Sequence, residues 1–232
     1  AAGKLAIKID PQAEAYLIMG QAWQGMDKAE EAIGCYEKAI ELGPDLRDAY
    51  HGLVGALQEV GKTEQAEELS YKALIEHPDW FTAQEFCTLG KNYLAEGKTE
   101  KSVGCYRRAI ELNSQLWEAY FGLGQISTNQ QQWEEAVGYY RQAVELNNKS
   151  IGSYYGLGQG LAEKGEWEEA IACYQKVIEL DGNLGGSPPE EVEPKIEIWE
   201  VYNRLGDGLQ ELGRIEEAVE AYRRAIDLAE SP

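Results

Sequence analysis

Residues 117–150 read WEAYFGLGQISTNQQQWEEAVGYYRQAVELNNKS, and the register of this stretch organises the whole chain. With Trp117 as slot one, Tyr120, Leu123 and Gly124 fill slots four, seven and eight. Ala136, Tyr140 and Ala143 fill slots twenty, twenty-four and twenty-seven. A step of 34 residues forward lands on Tyr154, Leu157, Gly158, Ala170, Tyr174 and Val177. The same step backward lands on Phe86, Leu89, Gly90, Ser102, Tyr106 and Ala109. Self-similarity at this period marks an array of helical repeats.

Carried along the chain, the frame places units at 13–46, 47–80, 83–116, 117–150, 151–184 and 199–232. Residues 1–12 read as the tail of a preceding helix, and 185–198 (GGSPPEEVEPKIEI) as an acidic insertion punctuated by Gly-Gly and Pro-Pro. Each unit holds two amphipathic segments: Tyr120, Leu123, Ile126 and Ser127, for example, share the face of one helix. Gly61, Gly97, Gly165 and Gly213 mark the turns between paired helices, with Gln130 to Gln132 in that place in the fourth unit. Glycine also recurs inside the expected helices, at slot eight (Gly20, Gly90, Gly124, Gly158, Gly206) and slot twenty-two (Gly34, Gly104, Gly138). A helical Gly costs about 1 kcal/mol relative to Ala, so the recurrence predicts close approach of helices at both slots. The second helices open with acids and turn basic further on, which predicts stabilisation by the helix macrodipole.

Composition narrows the partners. Among 232 residues, 41 Asp+Glu against 21 Lys+Arg give a net charge of −20. That balance argues against nucleic acid and anionic membranes, both of which reward a basic surface, and favours a basic or amphipathic protein partner. No apolar run is long enough for a membrane helix. The four cysteines include three at slot twenty-three (Cys35, Cys105, Cys173), too far apart in stacked units to form disulfides. They are expected as reduced core thiols of a cytoplasmic protein. No Cys-x-x-Cys or Cys/His cluster suggests a metal, and neither His51 nor His77 has the companions of a catalytic triad. The run Gly156-Leu157-Gly158-Gln159-Gly160 falls mid-helix in the frame, where it cannot cradle a phosphate. No metal, cofactor or catalytic residue is expected.

The 34-residue period, the aromatic-x-x-Leu-Gly opening, the Ala of slot twenty, the Tyr of slot twenty-four, the Ala of slot twenty-seven and the closing Pro44 and Pro78 resemble tetratricopeptide repeats. The resemblance implies an all-α, right-handed superhelical solenoid of antiparallel helix pairs. It also implies that the first helices line a concave groove, through slots two, five, six, nine, twelve and thirteen, that holds a peptide or helix of another protein. The lysine and asparagine that grip a terminal carboxylate in some members are replaced by Leu17 and Gln21, so that clamp is not expected. The groove residues expected to touch a partner are Phe121, Gln125, Tyr155 and Gln159, with Lys91, His51, Asn203 and Arg204 at the flanks. Glycines at slot six (Gly52, Gly122, Gly156) are expected to open space between them. The expected function is therefore a non-enzymatic protein-interaction scaffold of unidentified partner, with self-association through uncapped ends as a further possibility. The alternative is the repeat portion of a larger enzyme, such as a glycosyltransferase, sulfotransferase or methyltransferase.

Overall fold

The computed structural model describes residues 10–184 and 196–230. Within these residues the chain is all helical, in pairs joined by short turns, an all-α solenoid without strands. The pairs are α1 (Pro11–Gln24) with α2 (Ala29–Leu42), α3 (Arg47–Glu59) with α4 (Thr63–Glu76), and α5 (Ala83–Ala95) with α6 (Thr99–Leu112). They continue as α7 (Trp117–Asn129) with α8 (Trp133–Leu146), α9 (Ile151–Glu163) with α10 (Trp167–Leu184), and α11 (Ile198–Glu211) with α12 (Ile215–Ala229). A single 3-10 turn spans Pro78–Trp80. Asp10 caps α1 and Pro11 opens it, so residues 11 and 12, read above as part of a preceding tail, begin the first pair. Residues 1–9 and the body of the acidic insertion, 185–195, lie outside the described residues.

The chain divides into two compact units, 1–81 and 82–232. In the first, Ala13, Leu17, Ala32, Tyr36, Leu53, Leu57 and Ala66 belong to one buried cluster. At its far end His77 stacks on Trp80 with ring centroids 4.0 Å apart, Tyr50 meets Trp80 edge-on, and His77 Nδ1 lies 3.5 Å from Asp45. In the second, Phe121, Val137, Tyr140, Leu157, Leu161, Tyr174, Val201 and Leu209 belong to another.

Both units use the same device: a tyrosine ring clasped between two glycines. A Cβ on Gly20 would stand 2.7 Å from the Tyr36 ring, and one on Gly52 only 2.4 Å from it. Tyr106 sits in the same way between Gly90 and Gly122, and Tyr140 between Gly124 and Gly156. The first glycine of each clasp belongs to the tyrosine's own helix pair and the second to the next, so the ring is the joint between pairs. Slot-six glycines were expected to open the groove, but rings from the neighbouring helix fill them. Slot-twenty-two glycines differ again: a Cβ on Gly34 or Gly138 meets nothing within 4 Å, so close approach is corrected there. The clasp lapses at two joints: Arg204 stands where a second glycine would meet Tyr174, and Ser70 takes the tyrosine slot with Thr88 in the following glycine slot; Ser70 instead bonds back to the Ala66 carbonyl at 2.8 Å. The division after Phe81 falls within that stretch.

Two further departures have local reasons. Ser102 replaces the slot-twenty alanine, and its buried hydroxyl donates to the Gly90 carbonyl at 2.7 Å. The turn without glycine in the fourth pair places Gln131 at φ 58, as Asp27 is in the first, whereas Gly61, Gly97, Gly165 and Gly213 occupy the same region at φ 71 to 77. The macrodipole expectation holds at one end only. Acids do occupy the first turns, but no described second helix carries a cation in its last turn. The cations instead pair within a turn of an acid, as Arg108 does with Glu111 at 2.6 Å and Lys176 with Glu179 at 2.9 Å.

Candidate functional site

The second unit holds a cleft of about 310 Å³ along the face built by its first helices. Its floor is aromatic. Phe121 of α7 and Tyr140 of α8 lie beneath it, and Tyr155 of α9 forms one wall. The polar groups are amides, Gln125 and Asn129 on α7 and Gln159 on α9, with Thr128 beside them. Leu94 closes one end, while Ile196 and Glu200 close the other. The repeat frame produces this alignment: residues at slots five, nine and twelve fall on one face of each first helix, and stacking sets those faces side by side.

The expected residues are distributed unevenly. Phe121, Gln125, Tyr155 and Gln159 all line the cleft. Phe121, however, is only 2 % exposed. It packs between Trp117 and Tyr140, with centroids 6.1 and 6.0 Å away, so it forms floor and core rather than a projecting anchor. Tyr155 is half-buried, with its ring 6.2 Å from that of Tyr174. Burial pushes its phenol up, Glu200 adds to that, and Arg204 and Gln159 oppose it. Arg204 is exposed and lines a second hollow of about 200 Å³ with Thr128, Trp133, Gln159 and Tyr174. This hollow sits where Arg204 occupies the slot that holds the clasping glycine elsewhere. Lys91 is exposed on α5, where its charge opposes the rise in the Cys87 thiol. Asn203 is half-buried on α11. His51 is exposed on α3, in the first unit. Lys91, His51 and Asn203 do not line the cleft.

Sequence reasoning left out Leu94, Thr128, Asn129, Gly152 and Glu200. These sit at slots two, twelve and thirteen, so the frame pointed at them, but none is aromatic or otherwise conspicuous. Tyr140, at slot twenty-four of a second helix, also lines the cleft; a ring that packs on one edge and faces a cleft on the other has no separate signature.

The chemistry available in the cleft is recognition: apolar contact below, amides that both donate and accept above, and a carboxylate at one end. Among the described residues no group of three or more His, Cys, Asp or Glu could hold a metal. All four thiols are free and buried, as expected. Burial raises Cys87 to about 12 and Cys105 and Cys173 to about 11, the reverse of an activated nucleophile. No described helix is long and apolar enough to cross a membrane.

Tetratricopeptide-repeat family profiles match residues 13–46, 87–151, 152–184 and 199–232. The chain belongs to the tetratricopeptide repeat family. Among solved structures, this tetratricopeptide array is similar to a crystal structure of MamA, with a TM-score of 0.54 and 19% identity over 91% of this chain and 94% of that one. MamA AMB-1 matches with a TM-score of 0.55 at 16% identity, covering 95% and 93% of the two chains. At these identities the likeness is one of fold. Among curated proteins, a probable UDP-N-acetylglucosamine–peptide N-acetylglucosaminyltransferase SPINDLY of Hordeum vulgare is 26% identical over 124 residues, 51% of this chain. The array spans 13% of that protein's length.

Proposed function

We propose that this array is a non-enzymatic interaction scaffold whose second unit holds an extended or helical segment of a partner protein in the cleft. The observation that carries this reading is the cleft's composition: an aromatic floor, half-buried Tyr155, and Gln125, Asn129 and Gln159 within one hollow. Apolar floors with a few convergent polar groups are what segment recognition requires, and glutamine satisfies both the N–H and the C=O of a bound backbone. Glu200 at one end and the chain's net charge of −20 favour a basic residue in the bound segment. Asn203 and Arg204 lie on the same helix as Glu200.

The test is a displayed-peptide selection on the wild-type array, followed by affinity measurement on a Gln125→Ala/Gln159→Ala variant. Peptides held in the cleft lose at least about tenfold in affinity, the loss of one or two hydrogen bonds, and Glu145→Ala on α8 leaves them unchanged. Equal affinity for wild type and the double variant overturns the reading. Phe121→Ala is unsuited to this purpose: truncating so deeply buried an aromatic costs about 3–5 kcal/mol of stability.

The barley relative favours a second reading, in which the array is the substrate-recruiting or dimerising portion of a larger glycosyltransferase. Sequencing the gene on both sides of these residues decides it: an adjoining catalytic domain supports this reading, and its absence removes it.

A further inference from the structure

The joint between the fifth and sixth pairs departs from its neighbours at one residue. A Cβ on Gly158 would stand 2.7 Å from the Tyr174 ring, as in the other clasps, but the covering helix brings Arg204 where α7 and α9 bring Gly122 and Gly156. One turn further on the packing is tight again, since a Cβ on Gly208 would lie 3.0 Å from Ile171. Beside Arg204 the joint keeps the hollow of about 200 Å³, lined also by Trp133 and Tyr174. Thr128 and Gln159 line both this hollow and the cleft. The hollow is therefore a side pocket of the cleft.

Two opposite charges stand at this edge without neutralising each other. Glu200 and Arg204 are one turn apart on α11, in the order at which an acid and a cation pair along a helix. Yet Glu200 lines the cleft and Arg204 the hollow. Arg204 is in no ion pair among the described residues, whereas Arg141 pairs with Glu169 at 2.8 Å, Lys164 with Glu134 at 2.7 Å and Lys176 with Glu179 at 2.9 Å. Asp207, three residues on, accepts from the Tyr222 hydroxyl at 2.9 Å. Burial and Glu200 push the Tyr155 phenol up, and the charge and hydrogen bonding of Arg204 oppose them, so the guanidinium reaches the wall of the cleft. Glu163 of α9 also lines the hollow and is exposed. Its charge leaves room for one acidic group there and disfavours a run of them.

Building on the cleft as the seat of a partner segment, we propose that this hollow is a specificity pocket, which takes one aspartate or glutamate side chain of that segment on Arg204. A guanidinium presents a planar fork that matches a carboxylate, and a bound segment excludes the water that otherwise screens the contact. The same segment offers its basic residue to Glu200. One helical turn rises about 5.4 Å and two residues of an extended chain span about 6.6 Å, so base and acid stand within two positions of each other. A net charge of −20 attracts cationic segments of every kind. The demand for an acid beside the base is what selects among them.

The test is a selection of random peptides, displayed with their carboxyl ends fused so that only a side chain supplies the acid, on the whole chain and in parallel on Arg204→Glu and Glu200→Lys. Wild type is expected to enrich an acidic residue within two positions of a basic one. On Arg204→Glu the acid gives way to Lys or Arg while the base stays, and on Glu200→Lys the base gives way to an acid. A wild-type-selected peptide, synthesised with an amidated end, is expected to lose about tenfold in affinity when its acid becomes Gln, and to lose nothing further on Arg204→Gln. Arg204 is exposed, and circular dichroism confirms that each variant keeps its helices. An acidic position equally enriched on wild type and Arg204→Glu, or a loss from acid to Gln that persists on Arg204→Gln, overturns the pocket and leaves the cleft standing. Peptides that bind Gln125→Ala/Gln159→Ala as well as wild type overturn the cleft, and the pocket with it.

Discussion

Glycine does two opposite things in this chain, and the difference is decided atom by atom. A methyl group at Gly122 would meet Tyr106 Cζ at 2.2 Å, and the clasped ring has a second glycine behind it. Gly122→Ala is therefore expected to destabilise the array by about 1–3 kcal/mol, the usual cost of overpacking. Gly138→Ala meets nothing within 4 Å and should stabilise by up to about 1 kcal/mol through helix propensity. Urea unfolding of the two variants checks both signs, and a Gly122→Ala protein as stable as wild type would remove the clasp from the account. Ionisation is decided at the same scale. Burial raises the thiols of Cys105 and Cys173 to about 11, and those of Cys87 and the Tyr140 phenol to about 12. The unfolded chain releases these protons nearer their ordinary values, so the folded state holds more protons in alkali. Stability from these groups is full below about pH 9 and is lost as pH rises towards 12. Urea midpoints measured from pH 8 upward should fall over that window, and a flat profile would contradict the burial of these groups.

At the scale of the helix, the ends differ more than the middles. Helix α5 begins with a capping box: Thr82 accepts from the Glu85 backbone N–H at 3.2 Å, and the Thr82 N–H donates to the Glu85 carboxylate at 2.7 Å. The second helices have no such cap where their first residues are described; Lys28, Lys62, Lys98, Gln132 and Arg214 precede them without a side-chain bond to the helix end. Their stability comes from the buried stripe rather than from their termini. Thr82→Ala should therefore cost about 1 kcal/mol, seen as earlier amide exchange in α5 than in wild type. Unchanged exchange there would mean that packing alone holds the helix start. The pairing of Thr82 with Glu85 three residues on is present in the sequence, but residues 81 and 82 fall between the units 47–80 and 83–116, where the repeat frame gives them no slot.

For the whole molecule, the chain divides after Phe81 into two compact units, and that division predicts the unit of folding. Helical repeats are stabilised by their neighbours, so a block of pairs with its own core stands by itself. A fragment of residues 82–232 should fold alone, with the helical circular-dichroism spectrum of four pairs and one cooperative thermal transition. It should also bind the peptides selected by the cleft with the affinity of the full chain, since the cleft's lining lies within it. A molten fragment, or one without that affinity, would show that the first unit is needed to build the site.

The sequence by itself determined the helix pairs, their period and the face that carries the cleft. Period is a property of spacing: residues 34 apart meet equivalent neighbours, whatever those neighbours are. It also identified Gln125, Tyr155 and Gln159 as cleft residues, because slots five and nine must lie on the same side of successive first helices. Only the tertiary structure decided that Phe121 is floor, that Tyr106 and Tyr140 fill the space at Gly122 and Gly156, and that Lys91 does not line the cleft. These outcomes depend on which neighbour reaches a given atom. The ring of Tyr106 belongs to one pair and fills a space left by Gly122 in the next, and no pattern confined to a single repeat records that encounter.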